Sequence, residues 1–220
     1  MTVATTGLPA KRLKQFNIPY QSSHTHAFSH AGYYPESMPL SIKLTFDPET
    51  GKLYGAQSVG YDGVDKRIDQ IALLIKSGGN VFDLMKTEHA YAPPFSSAKD
   101  PIAIAGYVAG NIVNKKMPVV HWREIQAANP DEITILDVRT RYETAGGQII
   151  RGSLNIPLDE LRDRLNEIPA NKPVFLYCGV GLRGYLASRI LIQRGYTNVK
   201  NLSGGYKTYS IATIPTIGHI

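Results

Sequence analysis

From Gln21 onward the chain alternates between two hydrophobic periods. Ser41-Ile-Lys-Leu-Thr-Phe46 switches apolar and polar residue by residue, the period of a half-buried strand. Asp47-Pro-Glu-Thr-Gly51 has turn chemistry, and Lys52 to Gly60 reads as the returning strand of a hairpin. Val64 to Lys76 places Ile68, Ile71, Ala72 and Ile75 on one helical face, with Gly78-Gly79 to end it. A short helix is predicted over Asn80 to Lys86 and another over Ile102 to Val113, despite Gly106 and Gly110. Between them Tyr91-Ala-Pro-Pro-Phe is a rigid loop, because proline fixes φ and cannot continue a helix. Residues 1–20 show little pattern and read as an irregular lead-in.

Lys115-Lys116-Met-Pro118 reads as a linker, dividing the chain into domains 1–114 and 115–220. After it the rhythm becomes strand-helix-strand. A helix is predicted over His121 to Ala128 and a strand over Ile133 to Val138. Leu158, Leu161 and Leu165 align along a helix at Leu158 to Leu165. A strand follows at 174–177, a helix at 184–194 and a short strand at 199–202. The first domain is therefore expected to be α+β, the second α/β with a parallel sheet.

The candidate chemistry sits where one strand of the second domain stops. Val174 to Tyr177 is an apolar run, followed by Cys178-Gly-Val-Gly-Leu-Arg183 and then a helix. Ligands and chemistry in parallel sheets gather outside the carboxyl ends of the strands. Cys178 is the only cysteine of the chain. A lone cysteine is often just a small buried hydrophobe. Here the loop N–H groups, the helix N-terminus and the charge of Arg183 would together favour an anionic, nucleophilic sulfur. Asp137 and Arg139 mark the end of a second strand in the same domain.

Composition narrows the classes. The chain has 220 residues and net charge +6, with +1 on residues 1–114 and +5 on residues 115–220. No Lys/Arg run or aromatic-basic interleaving points to nucleic acid. The modest positive field suits small anions. No apolar run approaches a membrane span, and no secretory signal is read at the start. One cysteine cannot form an internal disulfide, so a reducing, cytoplasmic setting is expected. His24, His26 and His30 have a spacing that could ligate a metal, but no carboxylate or cysteine lies close in sequence, and surface or interface histidines are the simpler reading.

The loop from Cys178 to Arg183 resembles the six-residue active loop of rhodanese sulfurtransferases. Tyrosine and dual-specificity phosphatases use a similar loop one residue longer, and Gly184 stands where they need arginine. Further segments resemble the same domain: Asp137-Val-Arg139 with Glu143, Gly152-Ser-Leu-Asn-Ile-Pro157, and Asn201-Leu-Ser-Gly-Gly205. Two departures are the longer stretch from Glu143 to Gly152, and Ile149 where histidine is common. The resemblance implies a persulfide on Cys178, held by Gly179, Val180, Gly181 and Leu182 with Arg183, and supported by Asp137, Arg139 and Glu143. The implied partners are a sulfane sulfur donor (thiosulfate, polysulfide or CoA persulfide) and a thiol acceptor.

Residues 1–112 resemble the dimerisation domain of the pyridine nucleotide-disulfide oxidoreductases. The segments that carry this are His30-Ala-Gly-Tyr-Tyr-Pro35, Gly51-Lys-Leu-Tyr-Gly-Ala-Gln57, Gly63-Val-Asp-Lys-Arg67 and Tyr91-Ala-Pro-Pro-Phe-Ser-Ser-Ala-Lys-Asp-Pro101. The domain order is similar to the C-terminal half of CoA-disulfide reductases and NADH oxidases with a fused rhodanese. This implies a homodimer, with Tyr33 or Tyr34, and Tyr91, lent to the partner's redox centre. FAD and NAD(P)H are implied for a full-length relative. None is expected in this chain: no Gly-x-Gly-x-x-Gly turn is read after a strand, Gly106 and Gly110 have the wrong spacing and no preceding strand, and there is no second redox cysteine. The chain is thus expected to be a tail, a split product or a truncation of a larger enzyme. The alternative is a non-catalytic module that dimerises or docks a separate reductase.

Overall fold

Residues 1–214 are described by a computed structural model. The chain divides into two units, Met1–Lys115 and Lys116–Ile220. Residues 215–220, the tail of the expected second domain, lie outside the described residues.

In the first unit the alternating segment forms the middle of an antiparallel sheet. Strands β1 (Thr2–Gly7), β2 (Gln21–Phe28), β3 (Pro39–Phe46) and β4 (Leu53–Gly60) lie in the order β1-β4-β3-β2. Leu40, Ile42, Leu44 and Phe46 of β3 point inward, as the period of two requires. They meet helices α2 (Val64–Lys76), α3 (Val81–Lys86) and α4 (Pro101–Val113) through Ile68, Ile71, Val81, Leu84, Ile102 and Ala105. Asn80 caps α3 by accepting from the Phe82 N–H at 2.8 Å, and Asp83 returns the bond to the Asn80 N–H at 2.9 Å.

The irregular lead-in is overturned. Residues 2–7 form β1, and α1 (Ala10–Gln15) follows it. β1 is an edge strand paired residue for residue with β4, and most of its side chains are exposed. Its stability comes from backbone pairing, so it has no hydrophobic alternation to read. The helix α1 is anchored by one fully buried side chain, Leu13.

An ion pair ties this unit's loops to its helices. Arg67 of α2 and Asp100, the N-cap of α4, meet at 2.8 Å with side chains 1% exposed each. Arg67 also donates to the Ser29 carbonyl at 2.6 Å, and Ser96 donates to Asp100 at 2.7 Å. The loop that carries Tyr91 is therefore stapled at its far end.

Among the described residues, the second unit has five strands, all parallel, in the order β5-β9-β8-β6-β7. They are β5 (Val119–Val120), β6 (Thr134–Asp137), β7 (Leu154–Asn155), β8 (Val174–Tyr177) and β9 (Val199–Leu202). The helices are α5 (Trp122–Ala127), α6 (Arg141–Thr144), α7 (Leu182–Gln193) and α8 (Gly205–Ala212). Strand β8 is central and packs Val174 and Leu176 against Leu136, Ala187 and Leu191. The helix predicted at Leu158 to Leu165 is instead two 3-10 turns, Leu158–Glu160 and Leu165–Glu167. Leu161 is still fully buried, so the leucine spacing reports burial correctly but not helix type. The two-residue strands β5 and β7 are too short to carry a periodic signal. No helix among the described residues is long and apolar enough to cross a membrane.

Candidate active site

Strand β8 delivers Cys178 to the carboxyl end of the sheet, beside Asp137 at the end of the neighbouring strand β6. Cys178 is 1% exposed and lies at the base of the loop leading to α7. Gly181, the N-cap of α7, has φ 123°, a conformation side chains resist. The Gly181 N–H donates to Cys178 Sγ at 3.2 Å. Two amides of α8 hold the loop from behind: Tyr206 N–H donates to the Cys178 carbonyl at 2.8 Å and Lys207 N–H to that of Gly179 at 3.0 Å. Val180 and Leu182, the remaining loop residues, leave their side chains exposed.

Arg183 sits in the first turn of α7 and closes the loop. Its guanidinium grips Glu143 of α6 by two bonds of 2.6 Å each. Glu143 also accepts from the Thr140 N–H at 3.0 Å, completing a capping box. Arg183 holds the Glu143 carboxyl at about 2, and the same pairing raises Arg183 further above its ordinary value. Arg183 is thus a permanent cation, and its charge also reaches Cys178.

Asp137 and Arg139 form a buried brace under the loop. Arg139 donates to both oxygens of Asp137, at 3.0 and 2.7 Å, and to the Gln148 carbonyl at 2.7 Å. Its guanidinium lies 4.3 Å from the ring centre of Tyr206 and 5.3 Å from that of Tyr177. The Tyr177 hydroxyl accepts from the Ile150 N–H at 3.1 Å and meets Ser153 Oγ at 3.1 Å. Burial pushes Tyr177 up to about 12. This network pins the rim segment 148–153, where Ile149 is partly exposed. Cys178, Arg183, Asp137, Arg139 and Glu143 are therefore brought together within one unit. Asn201 of β9 was missed as a site residue. It also joins the site, donating to the Gly181 carbonyl at 3.1 Å.

In the first unit Tyr33 and Tyr91 come together from distant loops, their hydroxyls 3.3 Å apart. That bond raises Tyr33 above its ordinary value. Tyr34 turns away and packs edge-on against His30, with ring centres 5.9 Å apart. Tyr33 and Tyr91 border a surface cavity of about 380 Å³ that also includes His26, His30 and Lys99. His26 Nδ1 meets Ser41 Oγ at 2.7 Å. Among the described residues, no three His, Cys, Asp or Glu side chains gather as metal ligands would.

One expectation is corrected by the residues themselves. Gly179-Val-Gly181-Leu-Arg-Gly184 does have the spacing of a dinucleotide turn, and it lies between a strand and a helix. A dinucleotide site also needs an Asp or Glu about twenty residues on, for the ribose. Residues 194–208 contain neither. The loop therefore lacks the acidic ribose partner of an NAD-type turn.

Both units match families of known proteins. Residues 120–212 match the family model of the rhodanese-like domain. Residues 1–101 match that of the pyridine nucleotide-disulphide oxidoreductase dimerisation domain. The chain thus consists of a dimerisation domain of that oxidoreductase family followed by a rhodanese-like domain. It is similar to reduced Bacillus anthracis CoADR-RHD, with 51% identity and a TM-score of 0.91, over 94% of this chain and 37% of that one. It is also similar to a NAD-dependent persulfide reductase from A. fulgidus, with 33% identity and a TM-score of 0.81, over 92% of this chain and 36% of that one. Among curated relatives, the coenzyme A disulfide reductase of Staphylococcus epidermidis is 40% identical over 108 residues, 49% of this chain and 24% of the relative. The chain therefore spans about a quarter of such curated relatives, and corresponds to the C-terminal part of CoADR-RHD.

Proposed function

We propose that the rhodanese-like unit transfers sulfane sulfur through a persulfide on Cys178. The observation that carries this reading is the Gly181 N–H aimed at Cys178 Sγ at 3.2 Å, in a loop closed by a permanently charged Arg183. The Cys178 thiolate attacks the outer sulfur of a donor. A Cys–S bond forms, the donor's S–S bond breaks, and sulfite or a thiolate leaves with the electron pair. An acceptor thiolate then attacks the outer sulfur, and Cys178 leaves as thiolate. Both steps are two-electron displacements and need no external oxidant. Thiosulfate, polysulfide and a CoA persulfide all have the sulfane sulfur this chemistry takes.

In a longer protein, FAD and NAD(P)H would be held by residues outside this chain. The first unit would join two copies, with Tyr33, Tyr34 and Tyr91 facing the partner's redox centre. The similarity to CoADR-RHD and to a persulfide reductase supports that setting. A reducing compartment such as the cytoplasm would keep the single thiol free. The non-catalytic docking alternative has less support, because the cysteine, the arginine and the loop's backbone geometry are all kept.

The test is direct. After exposure to polysulfide, intact-mass spectrometry should show one added sulfur on the chain and none on Cys178→Ser. Cyanide should then release thiocyanate from the first only. Equal turnover by Cys178→Ser would sink the reading.

A further inference from the structure

Asn201 is a buried side chain that reaches the active loop from outside the segments bearing Cys178, Arg183, Asp137 and Glu143. It is 2% exposed on β9, one strand away from the cysteine. Its amide N–H₂ donates to the Gly181 carbonyl at 3.1 Å and to Met117 Sδ at 3.4 Å. The amide oxygen Oδ1 is buried and has no hydrogen-bond partner. An orphaned buried acceptor is destabilising, and a leucine of similar shape would avoid that cost. The side chain is therefore poorly explained by stability alone.

Its neighbour is fitted to it. Oδ1 faces Gly184 in the first turn of α7, and a Cβ there would overlap the amide oxygen. Glycine is also a poorer helix former than alanine. Two local costs, an orphaned oxygen and a helical glycine, thus converge on one contact. What the contact sets is the orientation of residue 181. With its carbonyl held by Asn201, the Gly181 N–H points at Cys178 Sγ.

We propose that Asn201 is a positioning residue for sulfur transfer, acting through the Gly181 N–H, and that Gly184 is glycine to admit it. The inference rests on the persulfide reading above. It assigns the amide a moment in the cycle. When the acceptor takes the outer sulfur, the S–S electron pair stays on Cys178 Sγ, and the aimed N–H meets that new charge. Donors placed in advance toward developing charge act in this way, and losing one costs about 10²- to 10³-fold. Turning one off-axis without removing it should cost about tenfold.

The experiment uses the full chain with Asn201→Leu, Gly184→Ala and the double variant. Asn201→Leu keeps the volume and removes the donor. Gly184→Ala keeps the donor and displaces it. Each should lower kcat for sulfur transfer to a thiol about tenfold, with KM within about twofold, and slow iodoacetamide alkylation of Cys178 by a similar factor. Melting of Asn201→Leu should not fall. The double variant should be no worse than the weaker single one, because both act through one contact.

A purely structural role predicts the opposite: a lower melting temperature with unchanged kcat per folded molecule, which overturns the proposal. Should the variants fail to fold, the parent decides. The Asn201 side-chain amide signals should move in the NMR spectrum when Cys178 is alkylated, and signals that stay in place overturn it. Alkylation needs no sulfur donor. A parent that transfers no sulfur yet loses alkylation rate in Asn201→Leu would therefore refute the sulfurtransferase reading, and with it the role in transfer, while leaving standing only that Asn201 orients the Gly181 N–H toward the thiol.

Discussion

Glu143 and Arg183 set the charge at the mouth of the loop, and their pairing has a defined pH window. The Glu143 carboxyl is held at about 2 by Arg183, below the ordinary glutamate value. A carboxyl depressed in the folded state stabilises it fully above its unfolded value, about 4.3, and the contribution fades as pH falls toward the folded value. A carbon-detected NMR titration should therefore find Glu143 still ionised at pH 3. In Arg183→Gln its midpoint should return upward toward the ordinary range, and an unmoved midpoint would show that Arg183 is not the cause. The members of this site differed in how far they could be read in advance. Cys178 and Arg183 share one short segment, so their spacing alone predicts that they face each other. Glu143 lies far off in sequence and was legible only through a family motif. Asn201 was read merely as part of a closing turn. Its role depends on β9 lying next to β8, and no local pattern carries strand order.

At the scale of elements, long periodic segments were legible and short ones were not. β3 and α2 each bury a continuous face, so their periods survive in the sequence. β1 buries almost nothing, and β5 and β7 span two residues each. Leucines at 158, 161 and 165 suit an α-helix or successive 3-10 turns equally well. The Arg67–Asp100 pair was equally hidden, because its partners belong to different helices. With both side chains 1% exposed, solvent screens the pair little. Removing one partner should strand a buried charge and cost about 3–5 kcal/mol. Urea unfolding of Arg67→Ala and of Asp100→Ala checks this, and a loss below about 1 kcal/mol would class the pair with solvent-screened surface bridges. Since Ser96 and Ser29 share the network, the same variants should loosen the loop bearing Tyr91.

For the whole molecule, the two units have separate cores and separate candidate tasks. Expressed apart as residues 1–115 and 116–220, each should fold. Self-association measured by sedimentation should follow the first fragment, and thiocyanate formation the second. A monomeric first fragment at micromolar concentration would remove the dimer claim and leave the sulfur chemistry untouched. Lys115-Lys116-Met-Pro118 separates two different hydrophobic rhythms, and the chain divides into units at Lys115 and Lys116. The bonds from α8 to the active loop have a consequence for how the site comes into being. Cys178 leaves the ribosome well before Tyr206 and Lys207, whose amides hold the Cys178 and Gly179 carbonyls. Through that interval the nascent chain carries its thiol without the backing that shapes the loop. On the sulfur-transfer proposal, the site is complete only once α8 has been made and has docked, and a chain interrupted before α8 would leave the cysteine an unassisted thiol.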